Sequence, residues 1–340
     1  MKKGLRLAIL VWAVLTAGAV QAQRGATSVT VQTRLSGVVV ADDGVANDAL
    51  SKLGADYLNV AISGEITSGL SVTWRQRFNK PITSEKPLNA TDLLYLAYQP
   101  SDNWSISVGQ HTLAIGGWEY DRAPINVYFA SEFWNNIACY QLGINASYTN
   151  DKQTDTFVAQ LSQSPFDTPT TNLYGAELMW YGSHGVYHSA HSINLYEYRP
   201  DKYICYISLG NKLLFRRLTL ELDAMCRTAG EGNLLASASV MGGLSWAATD
   251  RLNILLRATY DRNNATTPPF DYTLHPGTEL TQVGGGIEYF PLGTSDLRLH
   301  AIWSAVSGTN TNPDGVLQGG RSAFRFGATW YLPILSLHHR

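Results

Sequence analysis

The chain has 340 residues, only 15% of them charged, with 30 Gly, 18 Tyr and 9 Trp and a formal net charge of -2. A soluble enzyme of this length carries nearer a quarter charged residues, so many glycines and aromatics with few charges point to a β-protein bathed in lipid. The acidic balance argues against a nucleic-acid partner, which needs a basic face.

Taken in chain order, the first element is a leader. Lys2, Lys3 and Arg6 form a positive segment, Leu7 to Val20 is apolar, and Val20-Gln21-Ala22 places small residues where a signal peptidase reads. This predicts a secretory signal peptide over 1–22, cleaved after Ala22, and a single domain over 23–340. The apolar run is too short to span a bilayer well. Its removal leaves 22 basic against 27 acidic residues, net -5. No later stretch reaches 18 consecutive apolar residues, so no membrane helix is expected.

From Ala26 onward the recurring pattern is alternation with period two, broken by turns. Leu252, Ile254, Leu256, Ala258 and Tyr260 share one face, with Asn253, Arg257, Thr259 and Asp261 on the other. Leu218, Leu220, Leu222 and Ala224 alternate with Thr219, Glu221 and Asp223, and Phe324, Phe326, Ala328 and Trp330 with Arg325, Gly327 and Thr329. Successive strand side chains point to opposite faces, so each segment has one apolar and one polar wall.

A soluble sandwich also alternates; the spacing of turns decides. Short, turn-rich connections fall at 67–69, 100–103, 150–152, 182–185, near 215–216, at 249–251 and at 293–296. Longer polar connections fall near 42–54, 79–91, 113–136, 164–172, 199–203, 228–233, 262–279 and 308–320. Short periplasmic turns alternating with long external loops mark a transmembrane barrel. The expected fold is all-β: an antiparallel up-and-down β-barrel of about 16 strands in the outer membrane of a Gram-negative bacterium. Trp104, Tyr148, Trp180, Tyr289 and Trp330 fall near short turns and Trp74, Tyr260 and Trp303 toward long loops, as two interfacial belts would. Sixteen tilted strands enclose an aqueous lumen. Parity puts Arg75, Arg77, Arg257, Arg298 and Arg325 on its wall, together with Glu177, Glu221, Asp223, Asp261 and Glu288.

The stretch Val108-Gly109-Gln110-His111-Thr112-Leu113-Ala114-Ile115-Gly116-Gly117-Trp118-Glu119-Tyr120-Asp121 is distinctive. It continues through Ile125-Asn126-Val127-Tyr128-Phe129 and Glu132-Phe133-Trp134-Asn135-Asn136. A strand ending in V-G-Q, then a Gly-Gly loop with W-E-Y-D and a Y-F…F-W segment, resembles the phosphate-selective porin O and P family, and more narrowly its Bacteroidetes-type members. The resemblance implies that the loop after the fifth strand folds inward, making Gly116 to Asn135 a constriction loop. Gly116, Gly117, Trp118, Glu119, Tyr120, Asp121, Arg122 and Glu132 are its candidate functional residues. Independently, a loop so rich in aromatics is a poor exposed loop and suits packing inside something. The family's phosphate selectivity does not carry over, because the inner wall mixes signs where an anion channel would be lined by Arg and Lys. The last residues, Leu337-His338-His339-Arg340, also lack the terminal aromatic common in barrels.

Other classes fit less well. There is no G-x-S-x-G and no H-E-x-x-H. His184, His188 and His191 form the densest histidine group, but residues four apart on a strand stand about 13 Å apart, and His191 is expected to point away from the other two. Cys139, Cys205 and Cys226 have no CxxC spacing; Cys205 and Cys226 could face each other across a hairpin, although lipid-side thiols are the plainer reading. No catalytic residue, metal or cofactor is therefore expected. The remaining alternatives are a non-conducting barrel serving as adhesin or receptor and, less favoured, an outer-membrane hydrolase. The favoured reading is a porin passing small hydrophilic solutes or ions, embedded in outer-membrane lipid. The resemblance adds a homotrimer.

Overall fold

The structure, a computed structural model, describes residues 27–83, 87–167, 172–229, 233–266 and 271–337. The expected signal peptide and the last three residues lie outside these.

Sixteen long strands run in sequence: β1 Thr27–Asp42, β2 Lys52–Thr67, β3 Leu70–Arg77, β4 Thr91–Tyr98, β5 Trp104–Thr112, β6 Tyr140–Thr149, β7 Asp155–Gln163 and β8 Tyr174–His184. They continue as β9 Tyr187–Arg199, β10 Lys202–Leu214, β11 Leu218–Ala229, β12 Ser237–Thr249, β13 Leu252–Asn263, β14 Glu279–Tyr289, β15 Leu297–Thr309 and β16 Arg321–Leu337. Val45 and Ala46 add a two-residue rung beside the end of β1. Each strand pairs antiparallel with its sequence neighbours, and β1 closes the ring on β16 from Thr27↔Leu337 to Asp42↔Arg321. Closure follows from the solvent: in lipid an open sheet edge would leave a row of amides unpaired. Among the described residues no helix is long and apolar enough to cross a membrane; the strands do the crossing.

The period-two pattern becomes a wall with two chemistries. Leu94, Leu96, Ile106, Val108, Ile144, Leu178, Ile193, Phe324 and Phe326 all stand exposed on the outside. Such a surface is an aggregation hazard in water and an ordinary one in lipid. Trp104 and Tyr148 pair across β5 and β6 beside a short turn, their rings 5.1 Å apart.

All seven short connections fall where the turn residues place them. One outer connection differs from expectation. The 199–203 segment is not a long loop but a two-residue turn, Pro200 and Asp201. Pro200 fixes its own φ and Asp201 takes the left-handed conformation (φ 59°), which an Asp tolerates. The strand count is unaffected. The same tight geometry reverses a histidine assignment. The turn between His184 and Tyr187 resets the parity, so His184 and His191 both lie beside the Trp180 ring, while His188 sits opposite Lys212 on the inner face. Cys205 stands opposite Thr228 and Cys226 opposite Ile207, so the two thiols are diagonal neighbours and free.

Candidate channel and its inner loop

The loop after β5, residues 113–139, turns into the barrel. It carries a short helix α1 (Trp118–Asp121), a 3-10 turn (Pro124–Asn126) and a second short helix α2 (Glu132–Asn136). Its first leg lies against the wall of β7 to β11. Ala114 N–H donates to Gln160 Oε1 (2.6 Å), Gly116 N–H to Ser192 Oγ (2.8 Å) and Gly117 N–H to the Ala190 carbonyl (2.9 Å). Such a close approach needs missing side chains. A Cβ on Gly210 would come within 2.7 Å of the Gly117 Cα, and Gly117 itself has φ 106°. Glycine tolerates both conditions.

Two wall carboxylates then hold the starts of the two helices. Asp223 Oδ2 accepts from Glu119 N–H (2.8 Å) in α1, and Asp261 Oδ2 accepts from Glu132 N–H (2.7 Å) in α2. The first N–H groups of a helix lack internal partners and favour negative charge, so an acid there satisfies both needs. Ser131 caps α2, accepting from Trp134 N–H at 3.1 Å. Glu119 turns back on the loop: it accepts from Ser131 N–H (3.0 Å) and Ser131 Oγ (2.5 Å) and pairs with Arg257.

An apolar core seals this side. Leu113, Ile115, Tyr120, Phe133 and Ile137 of the loop pack on Tyr196, Ile204, Tyr206, Met225 and Ala229 of β9 to β11. Burying each large side chain contributes about 1.5–3 kcal/mol. The loop thus fills the part of the lumen beside β9 to β11. Burial pushes the Tyr120 hydroxyl well above its ordinary value and the Cys139 thiol up to about 11.

The loop's middle crosses to the opposite wall. Arg34 Nη1 donates to the carbonyls of Ile125 (3.0 Å) and Val127 (2.8 Å), and Tyr128 Oη donates to Glu288 Oε1 (2.8 Å). Asn126 Oδ1 accepts from Arg298 Nη2 (2.9 Å) and Tyr331 Oη (3.0 Å). On the outer side two more loops fold in and meet α2. Glu132 accepts from Leu317 N–H (2.9 Å) and Val316 N–H (3.2 Å) of the loop after β15. Asn136 Nδ2 donates to the Thr273 carbonyl (3.1 Å) of the loop after β13. Arg227 and Asp271, both almost fully buried and 2.6 Å apart, pin that loop to the wall.

All ten wall residues read by parity face inward, and the structure sorts them. Arg75 and Arg77 share Asp92 (3.2 and 2.8 Å), Arg325 meets Asp56 (3.4 Å), and Arg298 meets Glu288 (2.9 Å). Glu221 sits between Arg122 and Lys212. Glu177, Asp223 and Asp261, by contrast, are at most 2% exposed; Glu177 accepts from Ser162 Oγ (2.7 Å), and the other two hold the loop. Of the loop residues, Gly116, Gly117, Glu119, Tyr120 and Glu132 serve docking. Trp118 lies 3.5 Å beneath the Lys212 ammonium, Asp121 accepts from Tyr181 Oη (2.8 Å), and Arg122 stays one-third exposed.

Sequence reading missed Arg34, Asp56, Asp92, Lys212 and the Arg227–Asp271 pair. Parity could have found Lys212, which shares the inner face with Tyr206 and Ser208 on β10. Parity could also have found Arg34, which shares the polar face of β1 with Ser28, Thr30, Gln32 and Ser36; Asp271 lies in a loop, where no periodicity marks it. Among the described residues no three His, Cys, Asp or Glu side chains are grouped to hold a metal ion.

A closed sixteen-strand barrel with an apolar outer wall, a charged inner wall and a loop folded into it defines a class: the outer-membrane porins of Gram-negative bacteria. Residues 35–192 match the model of the family described as phosphate-selective porin O and P, the family that the Val108–Asn136 stretch resembles. No curated protein matches the chain. Solved structures share the fold at low identity. The Salmonella typhi OmpF in complex with daunomycin aligns at TM-score 0.65 with 12% identity, covering 90% of this chain and 97% of that one. The outer-membrane expressed OmpT of Vibrio cholerae aligns at 0.62 with 12% identity, covering 91% and 98%. The anion-selective porin from Comamonas acidovorans aligns at 0.60 with 11% identity, covering 90% and 98%.

Proposed function

We propose that this porin forms a water-filled channel through which small hydrophilic solutes and ions diffuse passively, without catalysis or cofactor. The observation that carries this reading is the inner loop, which is fastened to the wall on both sides yet leaves charged side chains inside the barrel in contact with water. Side chains of Arg122, Arg325 and Asp56 are 33%, 29% and 23% exposed. Water that reaches charges within a lipid-clad barrel supports a passage narrowed by a loop.

Selectivity would come from width and from the mixed charge at the narrow level. Arg34, Arg75, Arg77, Arg298 and Arg325 line β1, β3, β15 and β16, with Asp56, Asp92 and Glu288 among them. Carboxylates break up the basic wall, so the reading is of a general porin and not of a phosphate channel. A homotrimer is proposed from the family resemblance and from the likeness to a Vibrio cholerae OmpT structure described as a trimer form. Liposome swelling tests the passage. Vesicles holding the folded barrel should swell rapidly in arabinose and slowly in stachyose; equal, basal swelling in both would contradict it.

A non-conducting barrel is the second reading, favoured by one observation: the loops after β13 and β15 converge on α2 and partly roof the mouth. In that case neither sugar would enter.

A further inference from the structure

On the short-turn side of the inner loop, a recess of about 360 Å³ opens between the loop and the wall of β10 to β15. Four cations reach it: Arg122, Lys212, Arg257 and Arg298. Only two carboxylates, Glu221 and Glu288, share that lining. A third, Glu119, reaches Arg257 from within the loop and is itself buried. One Glu221 carboxylate serves both Arg122 and Lys212, so the recess keeps one positive charge in excess. Arg298 sharpens the point. It is 9% exposed, its Nη1 and Nη2 are engaged by Glu288 and Asn126, and its buried Nε has no partner. An unpaired buried donor costs about 1–3 kcal/mol, so the Arg298 guanidinium beside the recess is incompletely hydrogen-bonded.

The rest of the lining is divided between polar groups, Asn126, Thr219 and Ser245, and one apolar side. Phe129 leans against the wall at Gly284, where a Cβ would come within 2.7 Å of its ring, and Leu255 and Ile302 complete that side. The volume lies in the range of small-molecule sites, which combine an apolar lining with a few placed polar groups.

We propose that this recess is a binding site for a small organic monocarboxylate with an apolar body. One surplus positive charge matches one carboxylate, and the Phe129–Ile302 side covers hydrocarbon. Inorganic phosphate suits it less: it is strongly hydrated and offers nothing to the apolar side, so its desolvation would be poorly repaid. The site deepens the channel reading, because it lies beside the narrowed passage, but its occupancy can be measured without conduction.

The test is calorimetric titration of the folded, detergent-solubilised barrel with benzoate, inorganic phosphate and benzylammonium. Benzoate should saturate, phosphate should bind at least about tenfold more weakly, and benzylammonium should not bind. Lys212→Gln and Phe129→Ala, each first shown to keep heat-modifiable gel mobility, should each weaken benzoate by about tenfold. Phosphate or benzylammonium binding as tightly as benzoate would overturn the proposal. So would no benzoate binding, or binding unchanged in both variants. A barrel that binds benzoate but never conducts would overturn the channel reading and leave this site standing.

Discussion

At the scale of single residues, the inner wall is a set of paired charges, and removing one partner should cost more than removing both. Asp271→Ala strands Arg227 without its counter-charge in a buried site, which costs about 3–5 kcal/mol. The double change Arg227→Met with Asp271→Leu should recover most of that loss; urea unfolding midpoints of the three proteins check it. Cys139 gives a pH prediction. Burial raises its pKa to about 11, so the folded state disfavours the thiolate. The resulting stability is fully present below the ordinary thiol pKa and is lost as pH rises through about 11. In a Cys205→Ser, Cys226→Ser background, thiol labelling of the folded barrel at pH 8 should be slow and should accelerate steeply toward pH 11. At pH 8 the thiolate fraction would be roughly a thousandth. Labelling as fast as a free thiol at pH 8 would contradict this. Parity alone told which charges face inward, as for Arg257 and Asp261 on β13. It could not tell that Asp261 is sealed under α2 while Arg325 meets water, because that depends on where a distant loop lands.

At the scale of elements, the inner loop is held by backbone contacts that glycines permit. Gly210→Val would push a side chain into Gly117 and the Ala190 carbonyl, lifting the first leg of the loop off the wall. The barrel should still close, since its ladders do not involve the loop, but the loop should become a site of rapid proteolysis in intact protein. Replacing 118–136 by a short Gly-Ser linker should raise conductance by about twofold or more, because it removes the constriction. Unchanged conductance would show that the loop does not set the narrow point. The turns were legible because their residues carry the geometry, as Gly69 (φ 76°) and Gly185 (φ 65°) do. The 199–203 connection was misjudged because its polar residues suggested length, whereas Pro200 and Asp201 close a two-residue turn.

At the scale of the whole molecule, few charges and period-two alternation point to one solution, a closed barrel in lipid, and β1 on β16 supplies the closure. What the sequence could not convey was the lumen's division into a sealed part beside β9 to β11 and a charged, partly exposed part beyond it. That division arises from one loop crossing the barrel and meeting strands more than a hundred residues away. A trimer adds a further expectation: unheated samples should migrate on gels as a species that heating converts to monomers. Conduction would run through the charged, partly exposed part. The most direct measurement is single-channel current from the mature chain in planar bilayers under a salt gradient. The account predicts discrete steps grouped in threes, with a weak reversal potential befitting a mixed-sign lumen. A correctly folded, heat-modifiable barrel that never passes current would contradict it.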